Sequence, residues 1–322
     1  MDIKRTSLRA VVRGAYDIQD SRIEMGSRVV ATYRARQGIP VQRKRREDDP
    51  KATEILEMII KRHKKRIPKG STFPQITSFV GDEVIGSYTE LTLISLYRDL
   101  HKMEKKHFVR VGNEVKQWDI WGAFLGNVKG VGPAIGGVLL SELNPNDYYL
   151  DERGHRCTGE VEGAVRHTLY ASSFWKYAGL DVGPDGRGRS KQEAHLIDVW
   201  YQDKEEKWKT RKGITYNPFL KAKLCEVLSS CFLRVKAEKS PYAARYYDHK
   251  NRLENHVVYG KHNDGKKDED NRIITSDGRR HRASNRVMIK QFLLDMYNAW
   301  RPLVGFKIHL PYHEAKLGLK HG

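Results

Sequence analysis

Apolar residues recur at spacings of three and four along most of this chain, which is the periodicity of an amphipathic α-helix. The longest such pattern covers residues 5–36, and Arg22 occupies the one place in it that is not apolar. Its apolar positions are Leu8, Val11, Ala15, Ile18, Met25 and Val29. The pattern predicts a coiled coil or helical hairpin, or else a helix packed against its own domain. Gly38 and Pro40 come next as helix stop signals.

Further helices are predicted at about 50–66, 87–111, 172–178, 219–235, 242–253 and 282–300. A short strand at 195–200 is predicted to pair with residues 207–209. The polar segments 70–86, 151–163, 181–189 and 255–277 are predicted loops, the last of them charged and mobile. The sequence therefore predicts a mainly α protein with a small β element.

The charge balance indicates an anionic partner. The 322 residues include 59 Lys and Arg against 40 Asp and Glu, which gives a net charge of +19. An excess of this size faces water or a polyanion, and nucleic acid is the commonest polyanion in a cell. An acidic protein or an anionic membrane surface is the alternative partner.

Other features of the chain favour an intracellular location. It begins with charged residues and an amphipathic stretch rather than a signal peptide, and its longest apolar runs, such as 134–140, are too short to span a bilayer. Its three cysteines, Cys157, Cys225 and Cys231, are too few and too irregular for a disulfide framework. We therefore expect a cytoplasmic, nucleoid-associated protein without a membrane partner.

Basic residues cluster on both sides of the helix predicted at 50–66. The first cluster is Arg43, Lys44, Arg45 and Arg46. The second cluster is Lys61, Arg62, Lys64, Lys65 and Arg66. Together they predict an arm that contacts phosphates. Alternatively, they are a solvated loop and a helix C-terminus whose carbonyl groups the cations satisfy.

The most informative segment is residues 118–143. An apolar helical stripe ends at the glycine hairpin Gly130-Val131-Gly132-Pro133, and a second stripe begins at Ala134. The first stripe comprises Trp118, Trp121, Phe124, Leu125 and Val128. Glycines allow a positive φ and close approach, and Pro133 suits the first position of a helix. This is the helix-hairpin-helix pattern.

The chemistry of such a hairpin is backbone chemistry. The free amides at the start of the second helix point at a phosphate and carry no base information. We therefore predict that the hairpin contacts nucleic acid through Lys129, Gly130, Val131, Gly132 and Ala134. The alternative is an ordinary turn between two core helices.

The segment 118–236 carries three marks in order. They are the hairpin with its second helix up to Leu143, the FWKYAGL stretch at 174–180, and a helix that begins at Asn217-Pro218 and runs to Cys231. In this order and spacing they resemble the C-terminal transposase domain of the bridge-RNA-guided insertion-sequence transposases, the IS-one-ten family. The later helix, 281–300, is similar to the next segment of that domain in a divergent branch of the family.

The resemblance implies a DNA-binding protein that acts in transposition or recombination. Full-length members of the family combine a RuvC-like N-terminal half, which supplies acidic residues for metal, with a C-terminal half that supplies a serine nucleophile. The two halves form a composite site in an oligomer bound to a structured RNA. These family properties are expectations for the present chain.

The N-terminal region departs from the family pattern. Residues 1–117 show no run of strands with a carboxylate in the first, and Asp17 and Asp20 lie one turn apart on a predicted helix, where they would face solvent. A carboxylate metal site needs residues that converge from separate elements. No cofactor is therefore expected, and Mg²⁺ enters only if a partner supplies the acidic site.

The candidate nucleophile is Ser190, the only serine close after Leu180. Arg187 and Arg189 flank it and would stabilise a phosphate during displacement. The next residue is Lys191, where the family has glycine. The alternative is that this basic loop only contacts the backbone of DNA or RNA.

The sequence thus predicts three regions. Residues 1–117 form a basic helical region or oligomerisation arm, 118–254 a helix-hairpin-helix transposase-like domain, and 255–322 a charged loop with a C-terminal helix packed on that domain. The preferred function is DNA binding of transposase type, with structured RNA as a further ligand and a homo-oligomer formed through 5–36. The alternatives are a serine-dependent strand-transfer enzyme that needs a partner's acidic site, and a non-catalytic RNA-binding or scaffold protein.

Overall fold

The structure, a computed structural model, describes residues 3–40, 50–157, 162–183, 185–235, 237–268, 271 and 273–311. Its helices are α1 (Ile3–Arg36), α2 (Pro50–Arg66), α3 (Tyr88–Val115), α4 (Asp119–Ala123), α5 (Pro133–Glu142), α6 (Ala171–Tyr177), α7 (Pro218–Ala222), α8 (Ser229–Arg234), α9 (Pro241–Glu254) and α10 (Asp277–Leu303). Single 3₁₀ turns lie at Ile76–Ser78, Leu125–Asn127, Glu193–His195, Ala237–Lys239 and Lys261–Asn263. A π-helical segment, Lys223–Leu228, joins α7 to α8. The predicted mainly helical class is confirmed.

Two small antiparallel sheets complete the secondary structure. Strands β1 (Tyr148–Leu150), β2 (Arg156–Cys157) and β3 (Val165–His167) form one sheet in the order β2-β1-β3. Strands β4 (Ile197–Gln202) and β5 (Trp208–Gly213) form the other, with Trp200 opposite Thr210. The predicted pairing of 195–200 with 207–209 is confirmed in outline. The prediction of a loop over 151–163 is wrong at β2, because a strand of two residues has no periodicity to read.

The chain forms two compact units, Met1–Arg9 with Gly112–Gly322, and Ala10–Val111. The boundaries predicted from the sequence, after 117 and after 254, remain predictions. No described helix combines the length and the apolar character needed to cross a membrane.

The core of the Ala10–Val111 unit is formed by α1, α2 and α3. It contains Met25, Val29, Val30, Ala52, Leu56, Ile59, Ile85, Leu91, Ile94 and Tyr97. Arg22, the polar position in the seam of α1, forms an ion pair with Glu104 of α3, which also accepts a hydrogen bond from Gln19 at 2.9 Å. Met25 and Val29 of the seam thus belong to the core of this unit. The prediction that Val11 belongs to the seam is wrong, because Val11 is exposed and its neighbour Val12 is fully buried.

The second basic cluster is partly engaged inside this unit. Arg62 and Arg66 donate hydrogen bonds to one oxygen of Asp82 at 2.6 and 2.8 Å, and Arg66 also donates to the carbonyl of Val80. These two cations therefore neutralise a local carboxylate. The first cluster, Arg43, Lys44, Arg45 and Arg46, lies outside the described residues.

In the other unit, α10 packs against α9, α6, α4, α8 and the π-helical segment. Its buried face carries Met288, Ile289, Phe292, Leu293, Met296, Tyr297 and Trp300. The helix begins five residues before the predicted start, because the hydroxyl of Ser276 accepts a hydrogen bond from the amide of Arg279 and caps it. Part of the preceding charged segment, which was predicted to be mobile, is tied to this helix: Arg280 donates two hydrogen bonds to Asp264, at 2.6 and 2.8 Å.

The buried side chain of His63 is expected to make the free energy of unfolding depend on pH. Its side chain is 2 % exposed and Nδ1 accepts a hydrogen bond from Arg98 at 2.6 Å. Burial, followed by the charge of Arg98, lowers the pKa of His63 to about 4. Since the unfolded chain binds this proton near its ordinary pKa, about 6.5, the folded state loses stability as pH falls from there to about 4. The loss attributable to His63 is about 3 kcal/mol at most.

Urea unfolding between pH 7 and pH 4 measures this effect. We expect the free energy of unfolding to fall less steeply with acid in His63→Gln than in the parent protein. Identical pH dependence in the two proteins would contradict the assignment.

Candidate functional site

The segment before α5 makes a sharp turn. Helix α4 ends at Ala123, Phe124 leaves the helical region with φ −143° and ψ −65°, and a 3₁₀ turn comes next at Leu125–Asn127. The prediction of one helical stripe over 118–128 is therefore wrong at Phe124. The predicted start of α5 is confirmed, with Pro133 as its first residue.

The two glycines of the turn have different roles. Gly130 has φ +100°, and a Cβ there would lie 2.8 Å from the ring of Phe232. Gly132 has φ −94° and open space where a Cβ would stand. Only Gly130 is therefore required by conformation and packing.

The outer side of this turn is accessible. Lys129 and Gly132 are exposed and Ala134 is half-buried, whereas Val131 points into the core. The first hydrogen bond of α5 runs from the amide of Gly136 to the carbonyl of Gly132 at 2.9 Å. The amide of Ala134 therefore has no acceptor among the described residues, as expected in the first turn of a helix.

A separate and larger feature of the same unit is an open cleft of about 1100 Å³, called here the Ser190 cleft. The loop 186–195 forms one wall of the cleft. The other walls are formed by α7 with the π-helical segment that follows it, by α9, and by the first part of α10. The Lys and Arg residues that line it are Arg187, Arg189, Lys221, Arg279, Arg280, Arg282, Arg286 and Lys290. The carboxylate among its described lining residues is that of Glu226. The cleft is therefore strongly positive.

Several of these cations have no carboxylate partner in the described part of the chain. Arg286 packs against the backbone of Gly188, where a Cβ would come within 2.7 Å of its Nη1. Lys290 lies 5.3 Å from the centre of the Trp175 ring, and Lys221 donates a hydrogen bond to the carbonyl of Arg189. Burial lowers the pKa of Arg286, Lys290 and Lys221. The cleft thus holds charges that an anion would stabilise.

The loop that carries Ser190 is fixed by its own contacts. Val182 and Gly188 form an antiparallel bridge, and Gly186 turns the chain with φ +69°. Arg189 forms an ion pair of 2.8 Å with Asp181. These contacts fix the loop that forms one wall of the cleft.

Ser190 contacts a histidine that in turn contacts a carboxylate. The Oγ of Ser190 lies 2.9 Å from Nδ1 of His195, and Nε2 of His195 lies 3.0 Å from Oδ1 of Asp185. The His195 ring is buried, while Ser190 is half-buried and lines the cleft. The arrangement has the order serine, imidazole, carboxylate.

The residues predicted from the sequence fall in different places. Arg187, Arg189 and Ser190 line the cleft, and Lys191 is exposed beside it. Lys129, Gly130, Val131, Gly132 and Ala134 are not among its lining residues.

Sequence reasoning missed the contacts that complete the site. These come from Asp185 and His195, close to Ser190 in sequence, and from the distant cations Lys221, Arg286 and Lys290. The only local signal is a histidine five residues after the serine, at a position that also fits the start of the predicted strand.

Within the described ranges, no group of three or more His, Cys, Asp and Glu side chains could hold a metal ion. Asp17 and Asp20 lie on α1 with exposed side chains. The expectation about Mg²⁺ remains a prediction.

Comparison with protein-family models, with curated proteins and with solved structures finds no match for this chain.

The two glycines of the turn give a matched test of stability. We expect Gly130→Ala to lower the free energy of unfolding by about 1–3 kcal/mol, because the positive φ and the Phe232 ring both oppose a Cβ. Gly132→Ala should change it by less than about 0.5 kcal/mol. Chemical denaturation of both variants measures the difference, and equal losses would contradict this geometry of the turn.

Proposed function

We propose that this protein binds nucleic acid through its phosphate backbone, as a DNA-binding protein of transposase type acting in transposition or recombination. The observation that carries the proposal is the Ser190 cleft, whose described lining residues include eight Lys and Arg and one carboxylate residue, Glu226. Half-buried cations without counter-ions are costly, and a phosphate chain supplies the missing negative charge.

The shape and composition of the cleft favour nucleic acid over the alternative partners. Five of the eight cations carry no carboxylate partner among the described residues: Lys221, Arg279, Arg282, Arg286 and Lys290. Arginine predominates, and its planar guanidinium forms paired hydrogen bonds with phosphate oxygens. A concave site is also poorly suited to a flat anionic membrane surface.

The turn before α5 offers a second backbone contact. In the helix-hairpin-helix interpretation, the exposed Lys129 and the amide of Ala134 meet a phosphate at the positive end of the helix dipole. Helix α5 is ten residues long, which is enough to carry that dipole. The contact addresses phosphate and is independent of base sequence.

The proposed relation to the transposase family is supported by hydrogen bonds that connect the three sequence marks. Asn217 donates hydrogen bonds to Glu142 at 2.7 Å and to the hydroxyl of Tyr177 at 3.1 Å. Glu142 belongs to the helix after the hairpin, Tyr177 to the FWKYAGL stretch, and Asn217 caps the third element through the amide of Leu220. The marks thus belong to one hydrogen-bonded cluster, as expected of the core of a single domain.

The transposase interpretation also implies further partners for this protein. A coiled coil or homo-oligomer formed through residues 5–36, a structured RNA ligand, and Mg²⁺ supplied with a partner's acidic site all belong to the transposase interpretation. Sequencing the nucleic acid that copurifies with the protein separates DNA from RNA.

A second candidate function is strand transfer with Ser190 as the nucleophile. It is favoured by the position of Ser190 in the wall of the cleft, with its hydroxyl 2.9 Å from an imidazole nitrogen. A serine that only stabilised its loop would not need a surrounding surface of cations.

Removing two cations from the cleft tests the binding proposal. We expect the double variant Arg286→Gln with Lys290→Gln to bind a DNA duplex about tenfold or more weakly, and to have a salt dependence shallower by up to about two charges. Its thermal stability should not fall, since neither of these two half-buried charges has a carboxylate partner among the described residues. Fluorescence anisotropy across a salt series gives both quantities.

The matched control for this experiment is Lys102→Gln, which removes a cation paired with Asp99 at 2.9 Å in the other unit. It should bind as the parent does. Affinity lost equally in the control and the cleft variant would mean that only net charge matters, and the cleft proposal would then be wrong.

Gly132→Leu tests the hairpin contact. The side chain has open space at this position, so the fold should be retained while the approach of a phosphate is blocked. We expect DNA binding to weaken, whereas Gly14→Leu, at an open position within α1, should leave it unchanged. Unchanged binding in the folded Gly132→Leu protein would remove the hairpin from the interface.

A further inference from the structure

We infer that His195 is the general base that activates Ser190, and that Asp185 is a positioning residue that orients His195. The inference rests on the second candidate function, nucleophilic attack by Ser190 on a phosphodiester. It adds two residues to that function and states how the proton moves.

The protonation of His195 is set by a backbone contact. The amide of Ser190 donates a hydrogen bond to Nδ1 of His195 at 3.0 Å. Because an amide can only donate, Nδ1 of the neutral ring carries no proton, and the ring proton must be on Nε2. Nε2 then donates to Asp185 at 3.0 Å. The single lone pair of Nδ1 is therefore shared between the amide of Ser190 and its hydroxyl, whose oxygen lies 2.9 Å away.

The Ser190 hydroxyl is also oriented. The amide of Gln192 donates to its Oγ at 3.2 Å, which makes Oγ an acceptor in that direction. Its own proton then points to Nδ1 of His195, 2.9 Å away. This is the geometry in which a base removes a proton as the oxygen attacks.

The imidazole is held at its Nε2 edge. A Cβ on Gly183 would come within 2.6 Å of Nε2, so the backbone of Gly183 lies directly against the ring. Asp185 is fixed by the amide of Arg187 at 2.9 Å. That hydrogen bond, together with the one to His195, lowers the pKa of Asp185 and keeps it ionised at neutral pH. An ionised Asp185 stabilises the imidazolium that forms when His195 takes the proton.

A second pair of histidine and serine in this unit, His249 and Ser284, differs from the pair at Ser190. Nδ1 of His249 lies 3.1 Å from the hydroxyl of Ser284, but no carboxylate is bonded to His249 in the described part of the chain. Ser284 is fully buried and is not a lining residue of the cleft. Of the two pairs, the one at Ser190 has both a carboxylate bonded to its histidine and a serine that lines the cleft.

The proposed reaction is a displacement at phosphorus. The Oγ of Ser190 forms a bond to phosphorus while the bond from phosphorus to one nucleotide oxygen breaks. The Oγ proton passes to Nδ1 of His195 and then to the departing oxygen, which leaves as a hydroxyl group. The product is a phosphodiester between Ser190 and the retained strand, and the cleft cations stabilise the charge that develops on the phosphoryl oxygens.

An activated phosphorus probe tests this step without knowledge of the DNA substrate. The full chain is incubated with an alkyl phosphonofluoridate, in which fluoride is the leaving group, and labelling is followed at Ser190 by peptide mass spectrometry. We expect labelling of the parent and none at this position in Ser190→Ala. His195→Gln should label about 100-fold or more slowly, since general base catalysis contributes at least that factor.

Asp185→Asn separates a positioning role from a structural one. It keeps a hydrogen-bonding oxygen but loses the charge, so labelling should slow by about tenfold or more while thermal stability is retained. The control is His155→Gln, which removes a histidine paired with Asp151 at 3.4 Å outside the cleft and should label at the parent rate. Asp185 lies in an exposed turn, so this variant decides the question even if His195→Gln fails to fold.

Two results would overturn the inference: a folded parent protein that is not labelled at Ser190, or parent-like labelling in both His195→Gln and Asp185→Asn. DNA binding measured on the same samples keeps the two proposals apart. Binding without labelling removes the activated serine alone, whereas labelling without binding removes the nucleic-acid proposal alone.

Discussion

Cations without a carboxylate partner among the described residues are the constraint on which the Ser190 cleft depends. Arg286 and Lys290 extend from α10, one turn apart, and both are largely surrounded by protein. Desolvating a cation opposes folding unless an anion or a polar contact compensates. Partial compensation comes from the ring of Trp175 beneath Lys290. The remainder is available to a ligand, and a phosphate is the ligand chemistry that a group of guanidinium and ammonium ions recognises.

The fold keeps these charges in place through the opposite face of the same helix. Met288, Ile289 and Phe292 are fully buried, so the rotation of α10 about its axis is set by the core. That rotation leaves Arg286 and Lys290 facing the loop that carries the serine. The loop is fixed in turn by its ion pair with Asp181 and by Lys221, which donates to the carbonyl of Arg189. Core packing and site geometry are therefore coupled through one helix.

How much could be predicted depended on the distance over which a pattern repeats. The long helices, the pairing of β4 with β5 and the apolar face of α10 were predictable, because each repeats its periodicity over many residues. The sheet of β1, β2 and β3 was not, since its strands are two or three residues long. Ser190 was chosen because the resemblance implies a serine shortly after Leu180, and Ser190 is the one that lies there. Asp185 and His195 were not, because a turn and a backbone amide bring them together and neither leaves a spacing signature. Arg286 looked like any polar position on an amphipathic helix.

The two glycines of the hairpin differ in what they leave open to a ligand. Gly130 suggested a phosphate contact from the sequence, but its positive φ and the Phe232 ring explain that glycine as a requirement of packing. Gly132 carries no such requirement, so its open surface is the part of the hairpin that a ligand could use. Arg189 and Arg280 of the cleft are paired with Asp181 and Asp264, but Arg286 and Lys290 have no such carboxylate among the described residues. Binding a polyanion, as proposed above, would account for the placement of these two cations.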